Sequence, residues 1–151
     1  MARVALLDVN VLVALFDPDH VHHDLAHDWF ADHRAAGWAT CAVTENGFLR
    51  VVSNPAYQAE VPRPVAALEQ LRRFCASGRH HFWGEPVSLR DDRLFDLALA
   101  RGHRQLTDIY LLGLAKHRGG RLATFDRTIP LAAVRGARPD TLAVIAPVER
   151  E

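Results

Sequence analysis

What most constrains this chain is a rhythm: short apolar runs of strand length alternate with stretches of helical spacing along its whole length. "ARVALLD" (2–8), "WATCAV" (38–43), "HHFWGE" (80–85), "RLATFD" (121–126) and "TLAVIAP" (141–147) are short and mostly apolar, as buried strands are. A helical segment lies in nearly every gap between them. Such alternation implies βαβ units, hence parallel strands covered on both faces. The expected fold class is α/β, a single α/β/α sandwich with a mostly parallel central sheet of four to five strands. One domain, 1–151, is expected to hold all of it.

The helical stretches carry their own punctuation. From Asn10 to Leu15 the spacing suits a short helix, and Pro18 ends it by pushing Asp17 out of helical geometry. Leu25, Trp29 and Phe30 form an apolar stripe in "HHDLAHDWFADHRAAG", with Gly37 as its stop. Thr44 reads as the N-cap of a helix running to Pro55, and residues 56–63 as a loop. "PVAALEQLRRFCASG" has proline near its start and glycine at its end. "DDRLFDLALARG" reads as a helix with acids in its first turn. "TDIYLLGLAKHRGG" repeats that plan, with Thr107 as the cap.

Composition excludes several classes. A chain of 151 residues buries about 70% of its unfolded surface around one core. With 49% hydrophobic and 24% charged residues it falls among soluble globular proteins. Zero formal net charge removes any global pull toward nucleic acid or an anionic membrane, and no apolar run is long enough to span a bilayer. Cys41 and Cys75 are the two cysteines, without a Cys-x-x-Cys pair or a secretory signal, so free thiols in the cytoplasm are expected. Lys116 is the only lysine. The many arginines suit phosphate recognition, but a coding bias accounts for most of them.

Chemistry enters with four acids. Asp8 ends the first strand and Asp126 closes the fourth; Glu45 and Asp108 lie in the first turns of helices that follow strands. Each alone has an ordinary explanation as a turn former or a first-turn acid. In open α/β sheets, however, ligand sites form beyond the carboxyl ends of the strands, and all four can face that rim. Carboxylates gathered in one cleft repel one another unless a cation joins them. Oxygen ligands without histidine or cysteine suit Mg²⁺ or Mn²⁺, and Mg²⁺ sites of this kind serve phosphoryl chemistry.

"LLDVNVLVALF", "AVTENGFLRVV" and "LTDIYLLGLAKHRGGRLATFD" together resemble the PIN domain, and within it the VapC-like toxins of bacterial toxin–antitoxin pairs. The resemblance runs from Ala2 to Pro147. It implies a metal-dependent endoribonuclease, whose acids hold one or two Mg²⁺ or Mn²⁺ ions that activate water for attack on an RNA phosphodiester. Carried over, Asp8, Glu45 and Asp108 are the main set and Asp126 assists; Asn10, Thr107 and Thr124 are supporting polar positions. The resemblance also implies an RNA substrate, a homodimer and a cognate antitoxin that blocks the acidic cleft.

Two other functional readings stand beside it. A phosphohydrolase of the haloacid dehalogenase type also places an aspartate after strand 1, but usually as Asp-x-Asp; here the second position is Asn10, and Lys116 lies late in its helix. A non-catalytic module that binds RNA or protein is the third reading. His20, His22, His23 and His27 are read as a solvated helix face, and His80 and His81 likewise as opening a strand. Trp29, Phe30, Trp38, Phe48, Phe74, Phe82 and Trp83 are assigned to the core or a dimer face rather than to base stacking. Arg50, Arg72, Arg73, Arg104, Arg118 and Arg127 are candidates for a local RNA path, and "GRLATFD" lacks the spacing of a phosphate loop.

Overall fold

A computed structural model describes residues 3–84 and 86–147. Ala2 of the first expected strand, Glu85 of the third and the end of the expected domain at residue 151 lie outside the described residues. Five strands, β1 (Ala5–Leu7), β2 (Trp38–Thr40), β3 (His80–Phe82), β4 (Arg121–Thr124) and β5 (Leu142–Val144), form one sheet in the order β3-β2-β1-β4-β5. Every pairing is parallel, so the sheet is parallel throughout rather than mostly so. The chain builds outward from β1 to β3, then returns to the other side of β1 for β4 and β5. The order therefore reverses between β1 and β4, and a crevice opens there at the carboxyl ends.

Alternation along each strand divides the core in two. Ala5, Leu7, Trp38 and Ala123 face α1 (Val9–Phe16), α2 (His23–His33), α3 (Ala42–Val52) and α4 (Pro64–Cys75). Leu6, Ala39 and Leu122 face α5 (Leu106–His117) and the segment before it. Phe30, Trp38, Phe48 and Trp83 are buried, as their core assignment requires. Phe82 is 54% exposed on the edge strand. Gly37 turns the chain from the end of α2 into β2 at φ 98°, a conformation that favours glycine.

Four local expectations are corrected. "DDRLFDLALARG" is not an α-helix: Asp91 and Asp96 accept backbone N–H groups two residues ahead, which competes with helical bonding. Its Phe95 pairs with Val134 in an isolated antiparallel bridge and packs on Gly113 of α5, leaving a single 3₁₀ turn at Leu97–Leu99. β2 stops at Thr40, and Cys41 is the N-cap of α3; Thr44 is the third helical residue, its hydroxyl accepting the Cys41 N–H at 2.9 Å. Thr107 lies inside α5, where Gln105 is the N-cap after a 3₁₀ turn at His103–Gln105. The strands are also shorter than their apolar runs, so that Asp8 and Asp126 lie beyond β1 and β4.

Candidate active site

The crevice at the switch point is built around Asp8. β1 delivers this residue to the rim, where it caps α1, its Oδ1 accepting the Val9 N–H at 2.8 Å. Its Oδ2 accepts the Thr124 hydroxyl proton at 2.8 Å, and its own N–H continues the ladder to Ala123. Asp8 is 7% exposed. Burial pushes its carboxyl above the usual range; the two hydrogen bonds oppose that and the charge of Asp126 adds to it.

Thr124 also organises Asp126, whose N–H it accepts at 3.1 Å. Asp126 then turns the chain by accepting the Thr128 N–H and hydroxyl at 2.7 and 2.6 Å. Asp108 comes from the opposite side, in the first turn of α5. Burial, then the charges of Asp8 and Asp126, push its carboxyl up to about 7. A cavity of about 350 Å³ is lined by these three acids together with Asn10, Thr107 and Thr124, and by Phe125 and Val9. Six of the seven positions singled out in the sequence thus share one cavity.

Glu45 does not line it. It follows β2, one strand away from the switch point. Its Oε2 accepts the Thr40 hydroxyl proton at 2.6 Å, and the same hydroxyl lies 2.7 Å from His80 Nε2. One carboxylate oxygen of Glu45, a ring nitrogen of His80 and the Cys75 sulfur all lie within 4.8 Å of one another. Burial, then the Glu45 charge, push the Cys75 thiol up to about 11.

His27 is exposed on α2 and His81 on the edge strand β3, as a solvated face requires, whereas His20, His22, His23 and His80 are half-buried. His23 Nδ1 and His27 Nε2 lie 2.7 and 2.8 Å from the carbonyls of Ala14 and Leu15, groups that the end of α1 leaves open. His20 stacks on Phe125 at the cavity and His22 lies tilted against it, with ring centroids 6.2 and 4.7 Å away. His80 is half-buried beneath Thr40. The sequence marked none of these contacts; the one available signal was Phe125 itself, an aromatic residue between two site positions.

The donor set of the cavity fits a hard divalent cation. All its charged groups are carboxylates, and among the described residues the partners of the buried Asp8 are a hydroxyl and an amide, neither charged. A dication there would offset the charges of Asp8 and Asp126, which add to burial in raising Asp108.

Residues 5–135 match the family model of the PIN domain. The chain belongs to the PIN domain family. Among curated relatives, this PIN domain is 44% identical to Ribonuclease VapC44 of Mycobacterium tuberculosis (strain ATCC 25618 / H37Rv), covering 93% of this chain and 99% of that protein. Ribonuclease VapC38 of the same strain is 44% identical, over 94% of this chain and 99% of its own. Ribonuclease VapC39 of the same strain is 41% identical, over 87% and 95%. The PIN domain therefore sits among VapC ribonucleases. The haloacid dehalogenase reading is not favoured, and Lys116 explains why in physical terms: it lies eight residues beyond Asp108 on α5, about 12 Å along the helix axis and away from the cavity.

Proposed function

We propose that this PIN domain is a metal-dependent endoribonuclease that hydrolyses RNA phosphodiester bonds and is the toxin of a type II toxin–antitoxin pair. The observation that carries the reading is the convergence of Asp8, Asp108 and Asp126 on one cavity at the switch point, without a protein cation among their described partners. Asp8, Asp108 and Asp126 would hold Mg²⁺ or Mn²⁺, with Glu45 as a further ligand once its carboxylate leaves Thr40. When bound, the ion supplies Lewis-acid polarisation of the phosphate and neutralises charge that develops on it.

The chain's own residues do the positioning. Thr124 fixes the Asp8 carboxylate from one side and the Asp126 backbone from the other. Asn10 and Thr107 offer exposed polar groups at the cavity mouth, where phosphate oxygens and ribose hydroxyls can be met. Phe125, backed by His22, gives the adjoining wall an aromatic character that suits an unstacked base. A cytoplasmic homodimer that a cognate antitoxin inhibits completes the proposal, with the chain 1–151 acting as one domain. Among the described residues, no helix is long and apolar enough to cross a membrane.

The test is cleavage of structured RNAs with Mg²⁺ or Mn²⁺ by the wild type and by Asp8→Asn. Cleavage by the wild type alone is expected. Equal activity in the two proteins overturns the assignment.

A further inference from the structure

We propose that Glu45, Cys75 and His80 form a second cation site, distinct from the acidic cavity and selective for Zn²⁺ over Mg²⁺. The three residues come from separate elements: Glu45 from the first turn of α3, Cys75 from the last position of α4, and His80 from the first position of β3. One ligand atom from each already lies within 4.8 Å of the other two, and all three side chains are half-buried.

Zinc binds sulfur at about 2.3 Å and nitrogen or oxygen at about 2.0–2.2 Å, which places tetrahedral ligand atoms about 3.5 Å apart. A contraction of about 1 Å completes the site, within reach of small changes of side-chain torsion. A thiolate, an imidazole and one carboxylate are a borderline-soft set that Mg²⁺ does not seek and Zn²⁺ does.

The surroundings support a ligand role. The Thr40 hydroxyl contacts both Glu45 and His80, at 2.6 and 2.7 Å, so it orients two of the three ligands as outer partners do in metal sites. That hydrogen-bonded chain is complete without Cys75, whose side chain packs against the core beside it and leaves the sulfur within reach of the other two ligand atoms. On binding, the thiol proton leaves to solvent, the imidazole stays neutral, and no electron changes hands. Three protein ligands leave a fourth position for water.

The site has a consequence that rests on the nuclease reading given above. An ion on Glu45, Cys75 and His80 holds the Glu45 carboxylate on the β2–β3 side, away from Asp8, Asp108 and Asp126. Zinc occupancy is then an off state of the nuclease.

The full chain is titrated with Co²⁺ as a spectroscopic stand-in for zinc, and then with Zn²⁺ in competition. Expected are a thiolate-to-cobalt charge-transfer band and tetrahedral visible bands, abolished by one equivalent of Zn²⁺ but not by excess Mg²⁺. Cys75→Ser is expected to remove the charge-transfer band and weaken Zn²⁺ at least about 100-fold. Asp8→Asn is expected to leave both unchanged, and circular dichroism checks that each variant folds. A cobalt titration that shows neither a charge-transfer band nor tetrahedral bands, or zinc affinity lost in Asp8→Asn and kept in Cys75→Ser, overturns the site. In RNA cleavage with Mg²⁺, zinc is expected to inhibit the wild type and spare Cys75→Ser; equal inhibition overturns the off state. If no RNA is cleaved with any ion, the nuclease reading fails, and the cobalt spectrum still decides this site.

Discussion

Thr124 donates its hydroxyl proton to Asp8 Oδ2 at 2.8 Å across the β1–β4 pair, although the two are 116 positions apart in the chain. The parallel register puts Leu7 beside Ala123, so the residues that follow meet where the strand order reverses. Thr124→Val keeps the shape and removes the donor. The buried carboxylate then loses one of its two described partners and Asp126 loses its anchor. Stability is expected to fall by about 1–3 kcal/mol in urea unfolding, and the divalent ion concentration for half-maximal cleavage to rise. Unchanged metal dependence would show that Thr124 serves the fold alone.

Asp8→Asn has an opposite effect on stability. The ionised carboxylate is 7% exposed and meets the charge of Asp126, whereas an amide of the same shape carries no charge to desolvate. In a chelator at neutral pH the variant is expected to be at least as stable as the wild type, its amide oxygen keeping the Val9 N–H and its NH₂ turned to the Thr124 hydroxyl oxygen. Added Mg²⁺ should raise the melting temperature of the wild type and leave that of Asp8→Asn nearly unmoved. A variant less stable than the wild type in chelator would mean that the charge itself holds the crevice together.

The acids also set a pH dependence. Asp108 has a folded pKa of about 7, against an ordinary value of 3.8, and Asp8 is raised as well. Between these values the folded protein binds more protons than the unfolded chain, so stability falls as pH rises from about 4 to about 7. In chelator, the melting temperature is expected to decline across that window. A saturating divalent ion should flatten the decline, because it takes the place of the protons. Half-buried His20 and His80, lowered by burial, oppose this trend; a decline no steeper in the wild type than in Asp108→Asn would contradict the burial and repulsion assigned to Asp108.

The sequence was most legible where one residue type has one structural use. Apolar runs marked all five strands, and acids immediately beyond strand ends marked Asp8 and Asp126. Legibility failed where tertiary contacts decide. Nothing local in "DDRLFDLALARG" says that Phe95 must reach Gly113, or that aspartates will bond their own turns instead of opening a helix. Glu45 was legible as a rim acid, but the direction of its carboxylate depends on Thr40 and His80, which only the β2–β3 pairing brings beside it. The contacts of His23 and His27 were hidden for a similar reason: their partners are carbonyls at the end of α1, and backbone groups leave no mark in sequence.

Gly113 tests the packing that displaced the expected helix. A Cβ at this position would lie 2.3 Å from two atoms of the Phe95 ring, closer than any real contact. Alanine is the better helix former by about 0.8–1.0 kcal/mol, and overpacking costs about 1–3 kcal/mol. Gly113→Ala is therefore expected to destabilise the protein, read as a lower urea midpoint. Phe95→Leu in the same chain should recover part of the loss, because the shorter side chain frees the space. A stabilised Gly113→Ala would mean that the ring moves aside freely and does not hold the segment on α5.

Glu45 tests whether the rim acids act together. Its carboxylate is tethered by one described hydrogen bond, from Thr40, and its three side-chain torsions allow other directions from the first turn of α3. Glu45→Gln removes the charge and is expected to lower cleavage at least about tenfold, with more Mg²⁺ needed for half-maximal rate. Thr40→Val removes the tether. It costs about 1 kcal/mol of stability through the lost hydrogen bonds, but it should reduce the Mg²⁺ requirement, since the carboxylate no longer has to leave a partner to reach the ion. Opposite shifts in the two Mg²⁺ titrations would mark Glu45 as a mobile fourth acid of the cavity. Superimposable curves for wild type and Glu45→Gln would confine it to the β2–β3 side.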